Sequence, residues 1–281
     1  MEEKNRKAGL QFYFCRMKKW MIVLVVLVVI CSCGEDENKI TPPVNPVSSS
    51  LIDELTAEVR QHPDSPNVRM KLINTLDSLK MYREAIAQTD SLIRKDSLNN
   101  NYWLIKAQLQ EDDRDTSGAI NSYISSLNIY PASDVQLNLA NLFAETKNQR
   151  ALIICDNVRK MGLGREVDAD CNFIAGVYFA RTGDNKKALQ LFDLAINDNY
   201  TLMEAYMEKG FIYYESKNYQ DALKVFDKAV TVSNTYADAY YWRAKCYEAM
   251  GNKPEAIINY KRSLGLDKQL KEAAEAIKRL E

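Results

Sequence analysis

From residue 51 onward, apolar and small side chains recur three and four positions apart in short stretches broken by polar turns. Tyr206, Gly210 and Tyr213 share one face of a helix expected over 205–216. Ala222, Phe226 and Ala229 share one face of a second helix, over 219–230. This pair of faces returns every 34 residues. Gly176, Gly210 and Ala244 form one column, and Ala188, Ala222 and Ala256 a second. Phe192, Phe226 and Tyr260 form a third, and Ala195, Ala229 and Ser263 a fourth. A fixed period of this length predicts a helical solenoid, in which no unit buries its apolar face alone. Small residues let two helix axes approach, and the aromatics fill the space beside those contacts. Between the helices stand Gly183-Asp184-Asn185, Lys217-Asn218 and Gly251-Asn252, where Gly or Asn can take the left-handed conformation that ends a helix. Pro254 suits the first turn of the helix that follows.

With the Gly or Ala column taken as the eighth position of a unit, the pattern resembles the tetratricopeptide repeat. The match covers 169–202, 203–236 and 237–270. The unit at 100–132 supplies Trp103, Ala107, Ala119, Tyr123 and Pro131, and 66–99 supplies Leu72, Ile73, Leu76, Tyr82 and Ala85. The stretch 133–168 keeps Ala140, Phe143 and Ala151 but has lost a residue early and gained some later. It reads as a degenerate repeat with an enlarged connection around Met161-Gly162-Leu163-Gly164. Residues 51–65 read as a half-repeat closed by Pro63, and 271–281 as a polar capping helix. The resemblance implies an all-α, right-handed superhelical solenoid of about six helix pairs.

In that family the first helix of each unit lines a groove through its second, fifth, ninth, twelfth and thirteenth positions. Mapped by the resemblance, the groove offers Phe173, Val177 and Arg181, then Met207, Phe211, Tyr214 and Glu215, then Tyr241, Lys245 and Glu248. Aromatic and Met side chains facing a groove are what peptide-binding surfaces use as anchors. Family members that clamp a C-terminal carboxylate use paired basic residues and asparagines. Here Met70 replaces the lysine although Asn74 is present, and Leu104 and Gln108 hold the same places in the next unit. That ligand is disfavoured.

The N-terminus adds a compartment. Lys18 and Lys19 precede an apolar run over 20–30, followed by Cys31-Ser32-Cys33-Gly34. Eleven residues are too few to span a bilayer, which needs about 20 in a helix. A basic start, a short apolar core and a small residue before the cut describe a signal peptide over 1–32, with Met17 as a second candidate start. Its end resembles a bacterial lipobox, Ile30 lying three residues before Cys33 and Ser32 immediately before it. The resemblance makes Cys33 the lipidated residue, and Cys31 the weaker candidate because Ile30 is large. Residues 34–50, with Pro42, Pro43, Pro46 and a serine run, read as an unstructured tether. The acidic Glu35-Asp36-Glu37 after the cysteine resembles the export signal of surface lipoproteins in the Bacteroidota. The expected location is the outer membrane, on the periplasmic face or the cell surface.

Removing 1–32 leaves 31 basic and 36 acidic groups, a balance that argues against nucleic acid. His62 is the one histidine and cannot alone build a metal site or a triad. Cys155, Cys171 and Cys246 lack metal or redox spacing and read as small apolar packing, with a disulfide left open. Gly162-Leu163-Gly164 follows no strand, and Glu111-Asp112-Asp113 has nothing to raise a pKa; neither suggests catalysis or a cofactor. Asp77-Ser78-Leu79, Asp90-Ser91-Leu92 and Asp96-Ser97-Leu98 resemble a short O-glycosylation motif of the Bacteroidota. The expectation is a non-catalytic, lipid-anchored scaffold that docks a peptide or helix of another envelope protein. The alternative is surface capture of a ligand or glycan, for which the 16 Tyr and 3 Trp are the raw material.

Overall fold

The computed structural model describes residues 46–281, so the signal peptide, Cys33 and the tether up to residue 45 lie outside the described residues. The described chain is all helix and turn: α1 (Pro46–Gln61), α2 (Pro66–Ser78), α3 (Tyr82–Lys95), α4 (Asn100–Asp112), α5 (Thr116–Ile129), α6 (Ser133–Glu145) and α7 (Arg150–Lys160). Then come α8 (Arg165–Thr182), α9 (Asn185–Asp198), α10 (Met203–Glu215), α11 (Tyr219–Val232), α12 (Ala237–Ala249), α13 (Lys253–Leu266) and α14 (Lys271–Leu280). Two compact units, Met1–Asn138 and Leu139–Glu281, divide the chain inside α6.

The columns are the seams of the helix pairs. Ala85, Ala119, Ala188, Ala222 and Ala256 are all 0% exposed, as is the aromatic of each later unit, Phe192, Phe226 and Tyr260. The glycines in the eighth position are needed for room. A Cβ on Gly176 would stand 2.6 Å from the Phe192 ring, and one on Gly210 2.4 Å from the Phe226 ring. In the two units where the eighth position is Ala107 or Ala244, the aromatic is a tyrosine whose hydroxyl finds a carboxylate. Tyr123 donates to Glu111, and Tyr260 donates to Glu248 Oε2 at 2.7 Å. Burying a hydroxyl without such an acceptor would be costly. The fourth column behaves similarly: Ser126 and Ser263 hydroxyls donate to the Asn100 and Ala237 carbonyls at 3.1 and 2.8 Å.

Each pair turns through one left-handed residue: Lys80, Arg114, Lys147, Gly183, Lys217 and Gly251 all have positive φ. The neighbouring Asp or Asn does a different job from the one its sequence suggested. Asp184, Asn218 and Asn252 keep negative φ and cap the second helix, their side chains accepting from the backbone N–H of Lys187, Asp221 and Glu255. In the fifth unit the left-handed residue is thus Lys217 and not Asn218.

Two boundaries depart from expectation. Helix α1 begins at Pro46, so Ser48, Ser49 and Ser50 belong to it and not to the tether. Proline has no N–H to lose and its φ is already helical, which suits a first helical position. The connection at 161–164 is only four residues, because the inserted residues lengthen α8, which starts at Arg165. Gly162 and Gly164 at φ 65 and 104 make that turn. In the first unit α1 covers Leu72, Ile73 and Leu76 with Leu55 and Val59. In the second, α14 lays Ala273 and Ala276 over Ala244, Ala256 and Tyr260.

Candidate partner-binding face

The second unit carries all the expected groove positions, on α8, α10 and α12. Four of them are not available. Phe173, Val177, Met207 and Phe211 are 7%, 1%, 0% and 9% exposed, which makes them core residues. The cause lies in the neighbours. Helix α8 is buried almost without interruption from Val167 to Val177, as expected of a helix packed on several sides. Phe173 tilts against Phe192 at 5.9 Å between ring centroids. Phe211 meets Phe226 at 6.1 Å and the edge of Trp242 at 4.6 Å.

Tyr214, Tyr241 and Lys245 are half-buried, and Glu215 is exposed. The two tyrosines belong to a chain of rings that the column arithmetic did not show. Tyr219 contacts Tyr214 at 5.2 Å, Tyr214 meets Trp242 edge-on at 5.3 Å, and Trp242 meets Tyr241 edge-on at 5.7 Å. Tyr241 then leans on Tyr260 at 5.5 Å and on the cluster closed by α14. Burial pushes the hydroxyls of Tyr214 and Tyr241 up to about 12, so both stay neutral donors at ordinary pH. At the far end Glu248 takes hydrogen bonds from Arg279 at 2.6 Å and from Tyr260. Arg279 first, against the effect of burial, and then Tyr260 hold that carboxyl below its usual range. Glu248 is therefore engaged by its own chain, and the half-buried edge of Tyr214, Trp242, Tyr241 and Lys245 remains.

Arg181 is likewise engaged. Its guanidinium forks onto Glu145 with contacts of 2.9 and 3.1 Å, and onto Glu208 with contacts of 3.0 and 2.8 Å. It joins three successive first helices, α6, α8 and α10. Glu208 is only 3% exposed. Burial drives its carboxyl upward, the Arg181 charge opposes that, and Glu145 and Glu215 add to it. Burial disfavours the charge on Arg181, yet Glu208 and Glu145 keep it firmly protonated. Two carboxylates answer one guanidinium, with exposed Glu215 one helix turn beyond the buried half of α10.

Sequence reasoning missed Trp242 and Glu208. Both occupy the sixth position of their units, outside the inward set. The signal was present: a carboxylate between Met207 and Gly210, in a stretch otherwise fit for burial, requires a cation nearby. Among the described residues no group of three or more His, Cys, Asp or Glu is placed to hold a metal ion, and no helix is long and apolar enough to cross a membrane.

Residues 210–251 match the family model described as "TPR repeat", and 237–270 the one described as "Tetratricopeptide repeat". The chain carries tetratricopeptide repeats over 210–270. A solved tetratricopeptide repeat protein from Parabacteroides merdae ATCC 43184 has the same fold. The TM-score is 0.65 at 18% identity, over 83% of this chain and 92% of that one. PilW, described as a widely conserved type IV pilus biogenesis factor, aligns with TM-score 0.55 at 18% identity, over 83% of this chain and 99% of its own. Yeast Tom70 aligns with TM-score 0.56 at 15% identity, over 83% of this chain and 58% of Tom70. No curated protein matches by sequence. At these identities the likenesses speak for the tetratricopeptide fold alone.

Proposed function

We propose that this protein is a lipid-anchored envelope scaffold that docks an extended segment or helix of another envelope protein, and that it catalyses no reaction. Tetratricopeptide arrays are protein-interaction scaffolds, and residues 210–270 carry that repeat. One observation carries the site: Tyr214, Trp242 and Tyr241 form a half-buried aromatic edge where the helix seams are already filled by Phe211, Phe226 and Tyr260. Rigid aromatics with one wet face, flanked by Lys245 and Glu215, have the composition of an interface anchor. Anchoring rests on the sequence around Cys33, and so does location at the outer membrane, on the periplasmic face or the cell surface.

The groove first mapped through Phe173, Val177, Met207 and Phe211 gives way to this narrower edge. Affinity capture of the protein from membranes, compared with Tyr214→Ala and Trp242→Ala variants that still melt cooperatively, tests it. Retention of the same partner by both variants would refute the docking face. For the anchor, mass spectrometry of the mature N-terminus is decisive, and an unmodified peptide starting elsewhere removes it. Glycan capture fits less well. The rings of Tyr214, Trp242 and Tyr241 meet at 79° and 89°, edge to face, and leave no flat platform for a sugar to stack on.

A further inference from the structure

The two kinds of turn in this array differ in what they expose. Turns inside a repeat centre on Lys80, Arg114, Lys147, Gly183, Lys217 and Gly251. In or beside them, among the described residues, the one exposed large apolar side chain is Met250 at 38%. Turns between repeats instead push such side chains into solvent: Leu98 is 77% exposed, Tyr130 62%, Met161 51%, Leu163 49% and Tyr200 69%. Helices joined by short turns run antiparallel, so within a unit the turns between repeats share one edge. In the first unit Ser126, late in α5, donates to the carbonyl of Asn100 at the start of α4, which sets the Leu98 and Tyr130 turns side by side. In the second, Arg165 Nη2 at the start of α8 donates to the Asn197 carbonyl at 3.1 Å and to Asp198 Oδ1 at 3.3 Å, late in α9. Met161 and Leu163 therefore stand beside Tyr200. Gly162 and Gly164 are left-handed with open space where a Cβ would be, so the two apolar side chains they flank project from the surface.

We propose that this edge of the second unit is lipid-facing: Met161 and Leu163 dip among the headgroups of a bilayer, and Tyr200 rests at headgroup level. A single exposed apolar residue needs no explanation, but three on adjoining turns do. A projecting apolar tip with a tyrosine beside it has the composition of a membrane interface, where the ring is apolar and its hydroxyl stays wet. The charges nearby are already answered, Lys160 by Asp156 at 2.5 Å and Arg165 by Asp198 at 3.3 Å, so the contact is apolar and asks for no anionic lipid. The occupant follows from the lipid anchor proposed at Cys33, on which this inference rests. The chain from Cys33 to Pro46 reaches at most about 45 Å even when fully extended, so the array begins beside a bilayer. Three side chains grip weakly alone, and hold because the anchor keeps them concentrated at the surface.

The test reconstitutes the full lipidated chain into phosphatidylcholine vesicles, with and without bromine on the acyl chains to quench tryptophan. Reporters are introduced as Leu163→Trp and Tyr200→Trp, and as Lys186→Trp, an exposed position at the opposite end of α9. The unsubstituted protein supplies the background of its own tryptophans. Flotation with the vesicles reads the anchor, and quenching reads the edge. Brominated lipid should cause about a twofold loss of the emission added by Leu163→Trp or Tyr200→Trp and leave that added by Lys186→Trp unchanged. Flotation without quenching, or equal quenching at all three sites, overturns the edge and leaves the anchor standing. A chain that does not float removes both. Shielding of Leu163→Trp from aqueous iodide in native membranes but not in the vesicles assigns the edge to a protein partner, and that too overturns the proposal.

Discussion

Replacing Gly210 by Ala inverts the usual effect of that substitution, and the inversion can be worked from the seam. In an ordinary helix interior the change gains about 1 kcal/mol, because alanine has less backbone freedom to lose. Here the new methyl would stand 2.4 Å from Cε1 and Cζ of Phe226 and 3.1 Å from Cδ1. The ring has no escape: it is 0% exposed, with Phe211 at 6.1 Å and Trp242 at 6.2 Å. Relief must come from moving α10 off α11, an overpacking cost of about 1–3 kcal/mol. The two effects together leave Gly210→Ala less stable by about 1 kcal/mol, a drop of about 2–4 °C in midpoint for a chain of this size. Gly265→Ala is the control, since its methyl meets nothing within 4 Å and it lies inside α13. It should gain up to about 1 kcal/mol. Urea unfolding of both variants followed by far-UV circular dichroism gives the comparison. If Gly210→Ala is stabilised as much as Gly265→Ala, the close-packed seam does not exist in solution.

Other consequences are as direct. Lys217 is left-handed at φ 60, which costs a non-glycine residue about 1–2 kcal/mol, so Lys217→Gly should gain about 0.5–1 kcal/mol in urea unfolding after the glycine's own entropy is subtracted. Burial raises the Glu208 carboxyl, so the folded chain holds its proton more tightly than the unfolded one. The stability this contributes is full below the ordinary glutamate value of 4.5 and is lost as pH rises through the raised value. Glu208→Gln should remove that slope, and an unchanged difference between the two proteins across this range would contradict the clasp. Tyr260→Phe deletes a hydroxyl that Glu248 accepts from and should cost about 1 kcal/mol, read as an earlier thermal transition.

The fold was legible because its period is built from residues with one physical task each. Gly210 makes room, Phe226 fills it, and Ala222 lets the helices touch; a column of such residues has no other economical explanation. The turn residues were legible only in part. Asn218 and Asn252 looked like left-handed residues, yet their side chains are worth more as caps, and the strained backbone falls on Lys217 or Gly251 one place earlier. The site was the least legible. Family positions say which way a helix face points, but not how near the next helix comes. Val177 and Met207 stand at inward positions and are covered all the same, in stretches of α8 and α10 that are buried on nearly every side. Arg181 looked like a free groove cation until Glu145 and Glu208, 36 residues before it and 27 after, were brought to it.

A stacked array normally comes apart one repeat at a time, since each unit feels only its immediate neighbours. Arg181 breaks that independence. It belongs to the fourth repeat and grips the third and fifth simultaneously, so the fourth cannot unfold without leaving the buried Glu208 unanswered and releasing both neighbours. Pulled mechanically, the protein should shed its C-terminal helices first and then yield these three repeats in a single rip.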